Sequence, residues 1–374
     1  MNYKRLIYTL IALPGITSVN AAELLAEFDP PTLAGFVGIA VDPASGNLVV
    51  YEEFGGATMH VIDQSGNEIG TIVSPGVSSN DYDLDFATGP MTIDGIAIPA
   101  GTLLVFNGDD SPERLYALAP DGTVLATTTL DSLSIVGGAH VPGSNTVATV
   151  DYTGNDFVRI LDANDGTQIG SFNPGPPPFD IFYGDIDLSS ETGNITLVSD
   201  SQNIVRQITQ QGFCVRELNV DPFGIVLMSG VAFDDATGNM WIANRNGTIY
   251  HLDPRPDLGD SDSDGLDDFD DNCVDVANPL QVDTDNDGIG NACDADITPV
   301  DDNDCTVNFA DLNAMKNAFF STPASPNWNP DADLTGFAGD PDGIVNFLDL
   351  NRMKTLFFGA PGPSGVGNLC GCGL

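Results

Sequence analysis

The sequence predicts a mainly β fold. It opens with a β-propeller of about five four-stranded blades, over residues 22–254, and two short acidic segments of different construction follow. Three observations predict the propeller. A unit opening on Gly and an alternating strand recurs with a period in the forties, and each unit before the last carries four strand-like runs. The last unit stops one strand short, while the N-terminus has one strand to spare.

The units open on GIAVDPASGNLVVYEE, GIAIPAGTLLVFNGDD, GAHVPGSNTVATVDYTGN, GDIDLSSETGNITLVSDSQN and GVAFDDATGNMWIANRN, from Gly38, Gly95, Gly138, Gly184 and Gly230. Each is an alternating strand, a turn of Gly, Asn, Asp and Ser, and a second strand, which is the hairpin signal. Third and fourth strands follow as TMHVID with NEIGTIV, RLYALAP with TVLATTT, FVRILDA with TQIGSFN, and IVRQIT with CVRELNV. The fifth unit ends at TIYHLD, and ELLAEFD near the N-terminus supplies its missing strand, closing the ring and removing two sheet edges. One longer gap holds an insert around 76–90, and 74–94 is the place where a sixth blade would hide.

After its second strand each unit carries polar residues: Glu52 and Glu53, Asn107 and Asp109, Asp151 and Asn155, Asp200 and Asn203, Asn244 and Asn246. Radial stacking would crowd them on one face of the disc. They are a candidate ligand site, but tight turns demand the same residue types, and turn chemistry is the stronger expectation. There is no G-x-S-x-G elbow, no H-E-x-x-H and no Walker loop. His60 and His251 fall at equivalent third-strand positions, which points to packing, and His140 stands apart. The repeated unit resembles the NHL-like and lactonase-like propellers, families that include both enzymes and binding platforms, so the resemblance implies a fold and leaves the activity open.

The chain has 11 Lys and Arg against 54 Asp and Glu, a formal charge of −43. This excludes nucleic-acid binding through phosphates and disfavours anionic membranes. The N-terminus MNYKRLIYTLIALPGITSVNAA has Lys4 and Arg5, an apolar run from Leu6 to Ile16, and small residues at Val19 and Ala21. That is a signal-peptide pattern over 1–21, with a run too short for a membrane span. Cleavage before Ala22 leaves a charge of about −45. The expectation is an exported, soluble protein with no membrane span, in a compartment that permits disulfides among Cys214, Cys273, Cys293, Cys305, Cys370 and Cys372.

Residues 255–296 open behind Pro254 and Pro256. Asp260, Asp262 and Asp264 alternate, Gly265 follows, and Asp268 and Asp271 complete a twelve-residue loop before Asn272-Cys273. Asp283, Asp285, Asp287 and Gly288 repeat the pattern, which reaches Asp294 at position 12. Alternating oxygens, a turning Gly and a distal carboxylate are what Ca²⁺ needs, since it takes six to eight oxygen ligands. Without the ion the like charges repel, so order in this segment depends on the ion. With Asn278-Pro279-Leu280-Gln281 between the loops, the segment resembles a thrombospondin type 3 repeat. Val274 stands where that family usually has Pro, and Asn291 where it has Asp. The resemblance implies that Cys273 pairs with Cys293.

Residues 297–374 contain two echoes, DDNDCTVNFADLNAMKNAFF and DPDGIVNFLDLNRMKTLFF, 38 residues apart. Each is an Asp-rich start, VNF, an Asp and an amphipathic helix, with Phe319-Phe320 and Phe357-Phe358 expected as core. This resembles the duplicated loop-helix of dockerin type I. The resemblance implies ligands Asp302, Asp304, Asn308 and Asp311 in the first loop, and Asp340, Asp342, Asn346 and Asp349 in the second. Val300 and Ala338 fall at position 1 and bring no oxygen. Asp301 is the candidate replacement in the first loop and Asp333, across an insertion, in the second. Cys305 takes the place of a Gly and is a candidate partner for Cys370 or Cys372, with Cys214 left over or bonded between domains. The family docks onto cohesin domains of polysaccharide-degrading assemblies, which makes a cohesin-like partner an expectation here. The sequence as a whole favours a secreted calcium-binding protein whose propeller recognises a protein or polysaccharide ligand. The alternative is a propeller enzyme, a lactonase, esterase or glycan-active hydrolase or lyase, carried on the calcium modules.

Overall fold

The computed structural model describes residues 22–30, 33, 35–52, 58–75, 82–108, 112–131, 134–151, 157–174, 179–190, 192–212, 214–254, 259–268, 270–297, 305–336, 339–366 and 370. The signal-peptide region 1–21, Glu53, Asp109, Asn155, Asp301, Asp302, Asp304 and Cys372 lie outside the described residues.

Among the described residues, five antiparallel four-stranded sheets make five blades. The first is β2 (Phe36–Val41), β3 (Leu48–Glu52), β4 (Thr58–Ile62) and β5 (Glu68–Val73). The second has β6 (Tyr82–Phe86) innermost, and then, beyond a hairpin of β7 (Met91–Ile93) and β8 (Ile96–Ile98), β9 (Leu103–Asn107), β10 (Arg114–Leu118) and β11 (Val124–Thr129). The third is β12 (Ile135–His140), β13 (Thr146–Asp151), β14 (Val158–Asp162) and β15 (Gln168–Phe172). The fourth is β16 (Asp185–Leu188), β17 (Ile195–Val198), β18 (Ile204–Ile208) and β19 (Cys214–Asn219). The fifth takes β20 (Met228–Asp234), β21 (Asn239–Asn244) and β22 (Ile249–Asp253) from the end of the propeller, and β1 (Glu23–Phe28) from its start. β1 runs antiparallel to β22, from Glu23 opposite Asp253 to Phe28 opposite Ile249, so the N-terminal strand closes the ring as expected.

The second blade departs from the expected strand order. Ile96–Ile98 is not its inner strand but one arm of the β7–β8 hairpin, with Met91 opposite Ile98. The inner strand is β6, inside the stretch expected as an insert, and it pairs directly with β9. The hairpin imitates a blade opening in sequence, yet it buries Met91, Ile93 and Ile98 with Leu104, Leu115 and Leu161 between blades 2 and 3. Asn145 Oδ1 accepts from Thr92 N at 2.6 Å and Asn164 Oδ1 from Gly95 N at 2.8 Å, anchoring the hairpin to blade 3. The inner strands β2, β6, β12, β16 and β20 pack in a ring, and apolar layers between blades form the core. Each fully buried Leu, Ile or Val there contributes about 1.5–3 kcal/mol.

The described residues of the C-terminal region form two short helices, α1 (Phe309–Ala318) and α2 (Phe347–Leu356). Each begins with a capping box. Asn308 accepts from Ala310 N while Asp311 accepts from Asn308 N, and Asn346 and Asp349 do the same for α2. Their shared core is Val307, Met315, Ala318, Ala332, Leu334, Val345 and Met353, joined by Ala295 and Ile297 from the preceding acidic segment. The two acidic segments therefore pack as one body. The Phe pairs behave differently from the expectation. Phe319 and Phe357 pack against this core, whereas Phe320 and Phe358 are 68% and 69% exposed. The cause is a swapped backbone ladder: Phe320 N donates to Val345 O and Phe358 N to Val307 O, both at 2.8 Å, with φ of 62° and 66°. That left-handed turn sends the second ring of each pair outward.

Cys273 bonds to Cys293, as the resemblance implied, and Cys305 to Cys370. Cys214 on β19 is disulfide-bonded as well, so it is not left over. Among the described residues no helix is long and apolar enough to cross a membrane.

Candidate metal centre

The first acidic loop wraps around its own carboxylates. Asp260 accepts from Asp264 N at 3.1 Å and from Gly265 N at 2.9 Å, which draws the loop into a ring. Gly265 and its counterpart Gly288 have φ of 102° and 90°, a conformation that a side chain would strain. Carboxylate oxygens of Asp260, Asp262 and Asp264 lie within 4.8 Å of one another. Asp264 also accepts from Asn278 N at 2.8 Å, tying the loop to the Asn-Pro-Leu-Gln connector. Asp271 accepts from Cys273 N and Gln281 Nε2. Asp268 is engaged elsewhere, accepting from Ser261 N at 2.7 Å and Ser261 Oγ at 2.6 Å.

The second loop repeats the construction. Asp283 accepts from Asn286 N at 2.8 Å and Gly288 N at 3.1 Å, and Asp283, Asp285 and Asp287 bring oxygens within 4.8 Å of one another. Asp294 is buried beside them and accepts from Asp296 N. Asn291 serves as a clamp. Its oxygen accepts from Thr284 N, and its Nδ2 donates to the carbonyls of Pro330 and Asp333.

Burial and like charge raise carboxyls in both loops. Burial, then Asp264 and Asp271, push Asp262 up to about 6. Burial, then Asp287, push Asp285 up to about 7. Burial and then Asp287 raise Asp294 well above the usual range. Asp262 Oδ2 is a buried oxygen that receives no hydrogen bond. An all-oxygen set of this kind, with a turning Gly, fits a hard cation of the Ca²⁺ type.

In the helical region, Asn308 and Asn346 spend their side-chain oxygens on the helix caps and donate from Nδ2 to Thr306 O and Ile344 O. Asp340 accepts from Leu280 N at 3.2 Å, across to the first acidic segment, and Asp342 from Ile344 N at 3.1 Å. Asp349 accepts from Leu334 N, Thr335 N and Asn346 N. Asp333 accepts from Asp342 N at 3.2 Å and Gly343 N at 2.7 Å, which is the way Asp260 holds Asp264 and Gly265. Asp333 thus has the place of a first loop residue, across an insertion. Its counterpart in the first half of the duplication has a signal in the sequence that the loop spacing misses: Asp294-Ala295-Asp296-Ile297-Thr298 is echoed by Asp331-Ala332-Asp333-Leu334-Thr335. By this register Asp296, 1% exposed and accepting from Thr306 N, corresponds to Asp333. Asp331 faces back to the second loop, where it accepts from Thr284 Oγ1 at 2.6 Å and raises Asp285.

On the propeller, the polar residues after the second strands are mostly spent on structure. Asp151 is paired with Arg159 at 2.6 Å and Asp200 with Arg245 at 3.2 Å. Asn203 donates to Asp221, and Asn244 Oδ1 accepts from Asn246 N and Thr248 N in a turn. His251 stacks on Trp241 at 3.9 Å, and His60 is bonded to Glu68 at 2.9 Å. The loops that enter blades 4 and 5 expose Phe182, Val226 and Leu227. Beside them Arg245 lies 4.4 Å over the ring of Tyr183. Tyr183 and Leu227 have φ of 44° and 54°, uncommon for bulky side chains.

No protein-family model and no curated protein matches the sequence significantly. Solved structures match in shape. A glutaminyl cyclase of Myxococcus xanthus shares 13% identity at a TM-score of 0.45, over 62% of this chain and 95% of that one. A gluconolactonase of Xanthomonas campestris, XC5397, shares 14% identity at 0.41, over 60% and 88%. A Bacteroides caccae protein of unknown function shares 15% identity at 0.36, over 55% and 69%. At these scores the likeness carries no argument about activity, and the propeller is established by the chain's own five sheets.

Proposed function

We propose that this chain is an exported calcium-binding protein, in which the acidic loops hold Ca²⁺ and the propeller serves as a recognition platform. The observation that carries the proposal is the pair of loops, each gathering three Asp oxygens within 4.8 Å around a left-handed Gly. Asp260, Asp262, Asp264 and Asp271 would hold one ion, and Asp283, Asp285, Asp287 and Asp294 another. The ion supplies the positive charge that lets neighbouring carboxylates ionise together, and it contributes folding energy to a segment with little apolar core. Asp333, Asp340, Asp342 and Asp349 are candidates for a further ion.

The disulfides support an oxidising compartment. Exposed Phe182, Val226 and Leu227 support a ligand-binding face, and commitment of Asp151, Asp200 and Asn244 to ion pairs and turns favours binding over catalysis. Exposed Phe309, Phe320, Phe347 and Phe358 form a pair of related aromatic faces on the helical region, which supports docking of a cohesin-like protein partner.

The experiment is calorimetric titration of the mature protein with Ca²⁺, with thermal scans in Ca²⁺ and in EDTA. Several bound ions, and a transition that Ca²⁺ raises and EDTA lowers beside a propeller transition indifferent to both, are expected. No binding at millimolar Ca²⁺, where extracellular modules are about half-saturated or more, would sink the proposal. A propeller transition that also shifts in EDTA would bring the enzyme alternative forward.

A further inference from the structure

The propeller holds a second set of acids, separate from the calcium loops. Asp83 and Asp85 on β6, and Asp185 and Asp187 on β16, are spaced so that both carboxyls leave the same face of each inner strand. Each reaches the inner strand of the following blade and accepts a backbone N–H there. Asp83 accepts from Gly138 at 2.6 Å, Asp85 from His140 at 2.6 Å, Asp185 from Val231 at 2.7 Å and Asp187 from Phe233 at 2.6 Å. β12 lies between β6 and β16, packed on both. Gly137 of β12 leaves the way open, since a Cβ there would stand 2.6 Å from Asp185 Oδ1. Asp83 is held at Gly138 N and Asp185 lies against Gly137, the neighbouring residue of β12, so the two buried carboxyls are close enough for each to act on the other's proton.

Among the described residues, the strands packed on these acids offer no counter-charge. Asp83, Asp185 and Asp187 are each less than a tenth exposed, and Asp83 Oδ1 receives no hydrogen bond from a protein donor. β2, β9 and β17 carry no titratable side chain. β12 carries only His140, whose ring bonds Thr88 Oγ1 and Ser144 O. β20 carries only Asp234, with Asp235 after it; β3 carries Tyr51 and Glu52; and Asp151 of β13 is held by Arg159. Two carboxylates in contact in a dry site cannot both stay ionised.

We infer that Asp83 and Asp185 share one proton, with Asp83 Oδ1–H donating to Asp185, and that this proton makes the cohesion of blades 2 to 5 sensitive to pH. Burial and then Asp185 raise Asp83 well above the usual carboxylate range, and burial pushes Asp185 up to about 7. Burial likewise brings Asp85 to about 7 and, with the Asp85 charge, raises Asp187. These folded-state values lie above the unfolded value of about 3.9. The stability they contribute is therefore complete below about pH 4 and is lost as pH rises through 7.

Asp83→Asn copies the protonated state: its Nδ2 donates to Asp185 while its oxygen keeps the Gly138 N–H. The test follows the propeller transition of the full calcium-loaded protein from pH 5 to 9. Wild type is expected to lose Tm as pH passes 7. The variant should differ least from wild type at pH 5 and exceed it at pH 9 by on the order of 5 °C. Parallel curves overturn the inference. So does a variant less stable than wild type at pH 9, the outcome of an ionised pair neutralised by a cation. If the variant does not fold, infrared spectra of ¹³C-aspartate-labelled wild type decide. A protonated carboxyl band at pH 7 that persists in Asp85→Asn with Asp187→Asn upholds the shared proton, and its absence overturns it. The readout is the propeller transition, so failure of the calcium proposal leaves the test intact.

Discussion

At the scale of single residues, Asp264 and Asp287 have double duty. Each brings an oxygen to its triplet, and each accepts the backbone N–H two residues on, Leu266 or Ile289. Asp264→Ala with Asp287→Ala should lower the calcium stoichiometry. Any residual affinity in these loops should fall by about 10–100-fold or more, the cost of disturbing even a group that only supports a ligand. Unchanged stoichiometry by calorimetry would refute the ligand assignment. Asp333→Ala should remove an ion only if its loop is filled, so the same titration tests that loop separately. The pH dependence has opposite signs with and without the ion. Asp262 and Asp285, raised to about 6 and about 7, must ionise to hold Ca²⁺, so affinity should drop as pH falls from 7.5 to 5.5. In EDTA the same raised values favour the protonated fold, and stability should fall as pH rises through 6 to 7. Titrations and thermal scans at the two pH values check both signs.

At the scale of elements, two features are most exposed to test. β1 covers the edge of β22, and the ring is closed by its ladder. Deleting residues 22–28 should lower the propeller transition sharply and promote aggregation through the uncovered edge, read by thermal scanning and light scattering. In the helical region, Asn346→Ala removes the cap of α2 and should cost about 1 kcal/mol in chemical denaturation. Most strands were legible because alternation of apolar and polar residues is local. The inner strand of blade 2 was not, since Gly95-Ile-Ala-Ile-Pro looks like a blade opening as much as Gly38-Ile-Ala-Val-Asp does. Only the pairing of Asp83 with Phe106 and of Met91 with Ile98 separates strand from hairpin.

At the scale of the molecule, the acidic loops and the helical region share one core, because Ala295 and Ile297 pack with Val307 and Met353. Calcium in the loops should therefore stabilise the helices, and EDTA should shift the helical circular-dichroism transition as well as loop order. Cys305–Cys370 closes a separation of 65 residues around this unit. Replacing both with Ser should lower its stability by up to about 4 kcal/mol, on loop-closure entropy alone. The propeller transition should be unchanged.

The order of amino acids alone carries the repeated four-strand unit, a spare N-terminal strand for the last unit and the two twelve-residue acidic loops, while the Cys273–Cys293 bond was implied by the family resemblance and the count of five blades over six was decided by the sheets. The unit and the loops are matters of short-range spacing, where residue type and local geometry are read together. Long-range packing settles the rest. The outward turn of Phe320 and Phe358 follows from a ladder between the two halves of the repeat. The place of Asp333 depends on an insertion looping out so that Asp342 and Gly343 can reach it. The meeting of Asp83 with Asp185 needs the curvature of the ring and the bare backbone of Gly137 between them. These contacts join residues far apart in the chain, and their energies come from burial and charge proximity, which have no period in the sequence.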